Sequence, residues 1–96
     1  MARYAVLLEF GENTAERLAV RPAHREYLGG LVEQGKLLLS GPWADDTGAL
    51  LVYETADEAE LRALLAADPY TAANVVARTE IREWNLVLGS WLAAIG

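Results

Sequence analysis

The stretch Arg3–Phe10 constrains the fold of this chain more than any other. Read as a strand, it sends Tyr4, Val6, Leu8 and Phe10 to one side and Ala5, Leu7 and Glu9 to the other. Apolar side chains on both sides are the pattern of a central strand, hydrogen-bonded at both edges and covered on both faces. Ninety-six residues leave room for one domain and no second core, and a chain of this size buries about 60–65 % of its unfolded surface. The composition is 53 % hydrophobic against 23 % charged, richer than an average soluble domain. That balance excludes disorder and raises the expectation of a buried subunit interface.

The cover for such a strand is readable further along. Gly11, Glu12 and Asn13 break it, and the pattern from Thr14 to about Gln34 is helical. Pro22 fits best near a helix start, so a short turn over Thr14–Ala19 and a main helix from Pro22 are expected, stopped by Gly35. Lys36–Ser40 reads as a second strand ended by Gly41-Pro42, and Trp43–Gly48 has the composition of a hairpin loop. Ala49–Glu54 is the third strand. Thr55 and Glu58 have the spacing of a capping box, with Asp57 as an alternative cap, before a helix that presents Leu61, Leu64 and Leu65. Asp68-Pro69 stops that helix and caps one more turn, Tyr70–Asn74, and Val75–Glu83 is the fourth strand. An apolar tail, residues 86–96, follows.

The order βαββαβ predicts a ferredoxin-like α+β fold: a four-stranded antiparallel sheet with two helices on one face. Right-handed crossovers then bring the start of the first helix, the end of the second and the end of the second strand to one edge. That edge carries His24, Asp68 and the segment Ser40-Gly41-Pro42-Trp43. With Leu28 and Leu31 at i+4 and i+7, His24 leans toward the sheet. A carboxylate on an imidazole fixes its tautomer and makes the other nitrogen a better base, whereas a helix N-terminus disfavours the cation. Each element also has a purely structural reading: Asp68-Pro69 as a cap followed by an N1 proline, His24 as a core histidine, Gly41-Pro42 as strand punctuation. The convergence of three sequence-distant elements is what favours chemistry.

The composition excludes much else. Lysine and arginine number 8 against 14 acids, a net charge of −6, which argues against a nucleic-acid backbone as partner. No cysteine is present, so disulfides, thiolate metal sites and cysteine nucleophiles are excluded, and one histidine makes a catalytic metal centre a poor expectation. Ser40 has no second histidine with which to build a triad. No phosphate-binding glycine loop occurs, and Trp43, Trp84 and Trp91 form no basic-aromatic platform. Arg21 suits an anionic ligand as readily as a surface ion pair, and Asp45-Asp46 suits a cation or plain solvation. No signal segment or membrane-length apolar run is visible, and a cytoplasmic location is expected.

The runs RLAVRPAHREYL, GKLLLSGPWAD and AADPYTAANVVARTEIREWN, in this order, resemble the YciI-related (YCII) domain family from the first strand to about Leu88. The resemblance implies a ferredoxin-like fold that pairs as a dimer, related to muconolactone-isomerase-type dimeric α+β barrels. It implies a pocket holding a His–Asp pair, which falls on His24 and Asp68, with Arg21, Ser40, Gly41, Pro42 and Tyr70 at lining positions. The tail beyond Gly89 is outside the family pattern and is assigned to a subunit contact. One characterised branch of the family is similar to a lyase that eliminates hydrogen chloride from a chlorinated hydroxyquinol. The expectation is therefore a small cofactor-free enzyme of lyase or isomerase type, acting on a small polar, aromatic or lactone-like molecule and paired as a homodimer through its open sheet face. The alternative is a non-catalytic ligand-binding or assembly module.

Overall fold

The computed structural model describes residues 1–95, so of the apolar tail only residue 96 lies outside the described residues. The elements are β1 (Ala2–Phe10), α1 (Thr14–Glu33), β2 (Leu37–Pro42), β3 (Gly48–Thr55), α2 (Glu58–Ala66), α3 (Pro69–Ala72), β4 (Val76–Glu83) and α4 (Leu92–Ile95). The strands form one antiparallel sheet in the order β2-β3-β1-β4, the ferredoxin-like arrangement of the dimeric α+β barrel type. β1 is central, as its two-sided apolar pattern requires. Its Tyr4, Val6 and Leu8 are buried with Leu51 and Tyr53 of β3 beneath Leu28 and Leu31 of α1 and Leu61 of α2.

Three local expectations change. Helix α1 is continuous over 20 residues with Pro22 inside it, rather than starting afresh at Pro22. Proline forfeits the bond that its N–H would give to the Leu18 carbonyl, but Leu18 and Pro22 both lie on the exposed face, where water meets that carbonyl. The buried stripe Arg17, His24, Leu28 and Leu31 runs past the break, and its packing holds the helix together. The helix then stops as expected. Lys36 N–H bonds the Leu31 carbonyl and Gly35 N–H the Val32 carbonyl, the paired bonds of a Schellman motif, with Gly35 at φ +74°.

The second change is in β2, which runs through Gly41 and Pro42, Pro42 lying opposite Ala49. β2 is an edge strand, so a proline without an N–H is tolerated there. The third is the α2 cap, where the alternative holds: Asp57 accepts from Glu60 N–H while the Glu60 carboxylate accepts from Ala56 N–H, so Asp57 is the cap and its box partner is Glu60, not the Thr55–Glu58 pair. At the turn into β3, Gly48 is obligatory because a Cβ there would run into the Leu8 carbonyl oxygen.

The face of the sheet away from α1 and α2 carries Ala5 and Leu7 of β1, Leu50 and Val52 of β3 and Leu39 of β2. Leu39 is 41 % exposed while Val52, enclosed by its strand neighbours, is 2 % exposed. Among the described residues no helix is long and apolar enough to cross a membrane.

Candidate active site

The site grows from the buried stripe of α1. His24 lies near the middle of the helix, not in its first turn, so the N-terminal dipole that would oppose a charged imidazole is too distant to matter. Leu28 and Leu31 bury the same face and turn the ring toward the sheet. From the other side Asp68, in extended conformation, caps α3 ahead of Pro69. Its Oδ1 accepts from Tyr70 N–H at 2.9 Å and from His24 Nδ1 at 2.7 Å. His24 and Asp68 are both buried, at 8 % and 5 % exposure. A carboxylate can only accept, so the proton of this bond sits on Nδ1, and a ring carrying that single proton has its lone pair on Nε2.

Aromatic packing fixes the imidazole plane. The Tyr70 ring lies flat on His24, with centroids 3.7 Å apart and planes 1° from parallel. Phe10 meets Tyr70 edge-on at 6.0 Å, and the Arg17 guanidinium sits 4.3 Å above the Phe10 ring. The short α3 thus positions the pair twice, through the cap and through the ring of the residue after Pro69.

These side chains border a cavity of about 530 Å³ between α1 and the β2–β3–β1 side of the sheet, a size suited to a small molecule. Among the residues expected at a site, His24, Arg21, Ser40, Gly41, Pro42 and Tyr70 all line it. Asp68 stands behind His24, outside the lining, and Trp43 is outside it too. Ser40 lies opposite Leu51 and so shares the helix-facing side of the sheet.

The two acids of the hairpin part company. Asp45 closes the turn by accepting from Thr47 N–H and Thr47 Oγ1. Asp46, at φ +61°, accepts from Arg17 Nη2 at 2.8 Å, which pins the hairpin tip to α1. The Arg17 hydrogen bond holds the Asp46 carboxyl below the usual carboxylate range. The same bond raises Arg17 above its ordinary value, against the effect of burial.

Sequence reasoning misses this pair, and it misses Arg25, which also lines the cavity. The signal for the arginines is present in the spacing of Arg17, Arg21 and Arg25, each four residues from the next. Nothing in the sequence announces that Asp46 meets Arg17. Deeper in the core, the Tyr53 hydroxyl is buried without a partner; burial, and next the Asp68 charge, raise it above the usual phenol range. Among the described residues no group of three or more His, Asp or Glu is placed to hold a metal ion.

The YCII-related domain family model matches residues 2–85. The protein YciI of Escherichia coli O6:H1 is 31 % identical, over 79 % of this chain and 88 % of its own length, and YciI of Shigella flexneri gives the same values. Among solved structures, 5-chloro-2-hydroxyhydroquinone dehydrochlorinase from Burkholderia phenoliruptrix, in complex with 2,5-dihydroxybenzoquinone, superposes with a TM-score of 0.76. It is 25 % identical, and the match covers 86 % of this chain and 93 % of that one. An antibiotic biosynthesis monooxygenase superposes with a TM-score of 0.58 at 16 % identity, over 90 % of this chain and 99 % of its own, a likeness of fold alone.

Proposed function

The chain belongs to the YCII-related domain family, and from that premise we propose that it is a small cofactor-free enzyme of lyase or isomerase type. In this reading His24 is the general acid–base, and Asp68 holds its tautomer and balances the charge when the ring is protonated. Arg21 and the Ser40–Gly41 backbone steady an anionic or carbonyl oxygen of a small aromatic or lactone-like substrate, with Pro42 and Tyr70 shaping the cavity. The observation that carries the proposal is the 2.7 Å contact from His24 Nδ1 to Asp68 Oδ1, with the histidine in the cavity wall and the aspartate behind it.

The chemistry asked of the pair is modest. Elimination of HX from a ring needs one base: Nε2 takes the proton, the electrons of the broken bond to hydrogen form the new double bond, and X leaves with its own bonding pair. An isomerisation returns the proton to another atom from the same nitrogen. Positioned acid–base catalysis of this kind contributes about 10²–10⁴-fold. The dehydrochlorinase likeness makes 5-chloro-2-hydroxyhydroquinone the first substrate to assay, by chloride release, with small lactones next. Wild type is expected to turn over one of these, and His24→Ala to lose about 10²–10⁴-fold in rate while still binding. A His24→Ala protein that only melts earlier, or only loses binding, would make the site structural or a binding module.

The apolar row on the face away from the helices, with Leu39 exposed and Ala5, Leu7 and Leu50 half-buried, supports pairing with a second copy through that face. Sedimentation at micromolar concentration checks it, and a monomer there removes the argument.

A further inference from the structure

The three arginines at successive fourth positions of α1, Arg17, Arg21 and Arg25, all line the one cavity. They grade from buried through half-buried to exposed toward its mouth. Like charges at i, i+4 oppose one another on a helix, so such a ladder is unfavourable unless an anion meets it. Arg17 is met by Asp46. Neither Arg21 nor Arg25 forms an ion pair with a carboxylate among the described residues, although acids outnumber basic residues 14 to 8 in this chain.

The field of the ladder is felt at the cavity. The Asp46 carboxyl is held low first by its hydrogen bond to Arg17 and, further down, by the charges of Arg21 and Arg25. Behind this charged rim most of the wall is apolar, from Leu8, Phe10, Leu28, Leu37, Leu51 and the Tyr70 ring, with His24, Ser40 and Asp46 as the other polar groups of the lining. A cationic mouth over an apolar floor, in a protein of net charge −6, selects an amphiphilic anion and focuses it there.

We infer that the cavity takes a small organic anion with a ring-sized apolar body, its carboxylate or ionised phenol held between Arg21 and Arg25 and its ring against Phe10 and Tyr70. Arg17, tied to Asp46, serves as the fixed inner end of the ladder rather than as a direct ligand. This specification rests on the cavity being the working site proposed above. Arginine suits the role because its planar fork meets a carboxylate with two parallel bonds.

The test compares 4-hydroxybenzoate with its uncharged methyl ester, which keeps the ring and removes the charge. Binding is followed by NMR on the His24 and Tyr70 ring signals. Wild type is expected to bind the acid about tenfold more tightly than the ester, and added salt to weaken the acid alone. Arg21→Gln/Arg25→Gln is expected to bring the two ligands within about twofold, and Arg25→Gln alone, at an exposed position, to fall between. Equal binding of acid and ester, a preference that survives the double substitution, or no signal change up to about 10 mM of either ligand overturns the inference. His24→Ala separates this from the catalytic reading: it keeps the preference for the acid whatever happens to turnover.

Discussion

Helix α1 holds two carboxylates from distant loops, one at Arg17 and one at His24, and the two pairs are built in opposite ways. Asp46 comes from a hairpin tip with a positive φ, and its side chain is 45 % exposed. Asp68 comes from a helix cap, its side chain is 6 % exposed, and the oxygen that meets His24 is also held by Tyr70 N–H. The cations differ in the same sense. Arginine stays protonated at any relevant pH, so the Arg17 pair can tie the hairpin down but cannot pass a proton. An imidazole can take up a proton and give it back, and a buried, doubly anchored partner holds its ring in one orientation. One pair fastens the hairpin to α1; the other is the pair to which the proposed acid–base role is given.

The same substitution, aspartate to asparagine, made at each pair breaks this contrast or sharpens it. Asp68→Asn carries the larger effect. Asparagine caps a helix about as well as aspartate, so α3 and the Tyr70 stack are expected to remain and the melting temperature to move little. What disappears is the negative charge beside His24. Turnover in the assay that detects wild type is expected to fall about 10²-fold, within the range for positioned acid–base groups. Unchanged turnover with a lower melting temperature would reduce Asp68 to a cap and dissolve the difference between the pairs.

The unequal legibility of the two pairs has a physical origin. That His24 and Asp68 approach one another is readable because right-handed crossovers pack the first helix beside the turn that ends the second. The spacing of Leu28 and Leu31 also turns His24 inward, although His24 lies in mid-helix and not at the junction expected of it. The central place of β1 is readable from its two-sided pattern for the same kind of reason. The Arg17–Asp46 contact depends on how far a hairpin tip leans over a helix. That is set by the β2–β3 register and by a positive φ at Asp46, neither of which local composition fixes. Pro22 misleads because a local rule about proline is weighed without the apolar stripe that holds the helix on both sides of it. The extension of β2 through Pro42 escapes because the tolerance belongs to edge strands, and which strand is at the edge is a property of the whole sheet. Helix α4 has no capping or periodic signal in its apolar surroundings.

Asp46→Asn carries the smaller effect and tests the fastening role alone. Asparagine accepts the left-handed conformation of Asp46 and can still accept a bond from Arg17, so the substitution removes charge without straining the turn. Arg17 is then left buried beside Phe10 without its counter-charge, and the variant is expected to be less stable at neutral pH. The sign of the pH dependence follows from the native carboxyl lying below its ordinary value. The charged carboxylate stabilises the fold fully above the unfolded-state value of about 3.9, and this contribution fades as pH falls through the lower native value. Urea unfolding of both proteins should therefore show a gap that is constant from neutral pH to about pH 5 and closes on further acidification. Asp45 and Glu60, whose carboxyls are also held low, by Thr47 and by Ala56 N–H respectively, titrate alike in both proteins and cancel from the difference. A gap that stays flat into acid would mean that the hairpin is not fastened through this charge, and that Arg17, like Arg21 and Arg25, faces the cavity as a free cation.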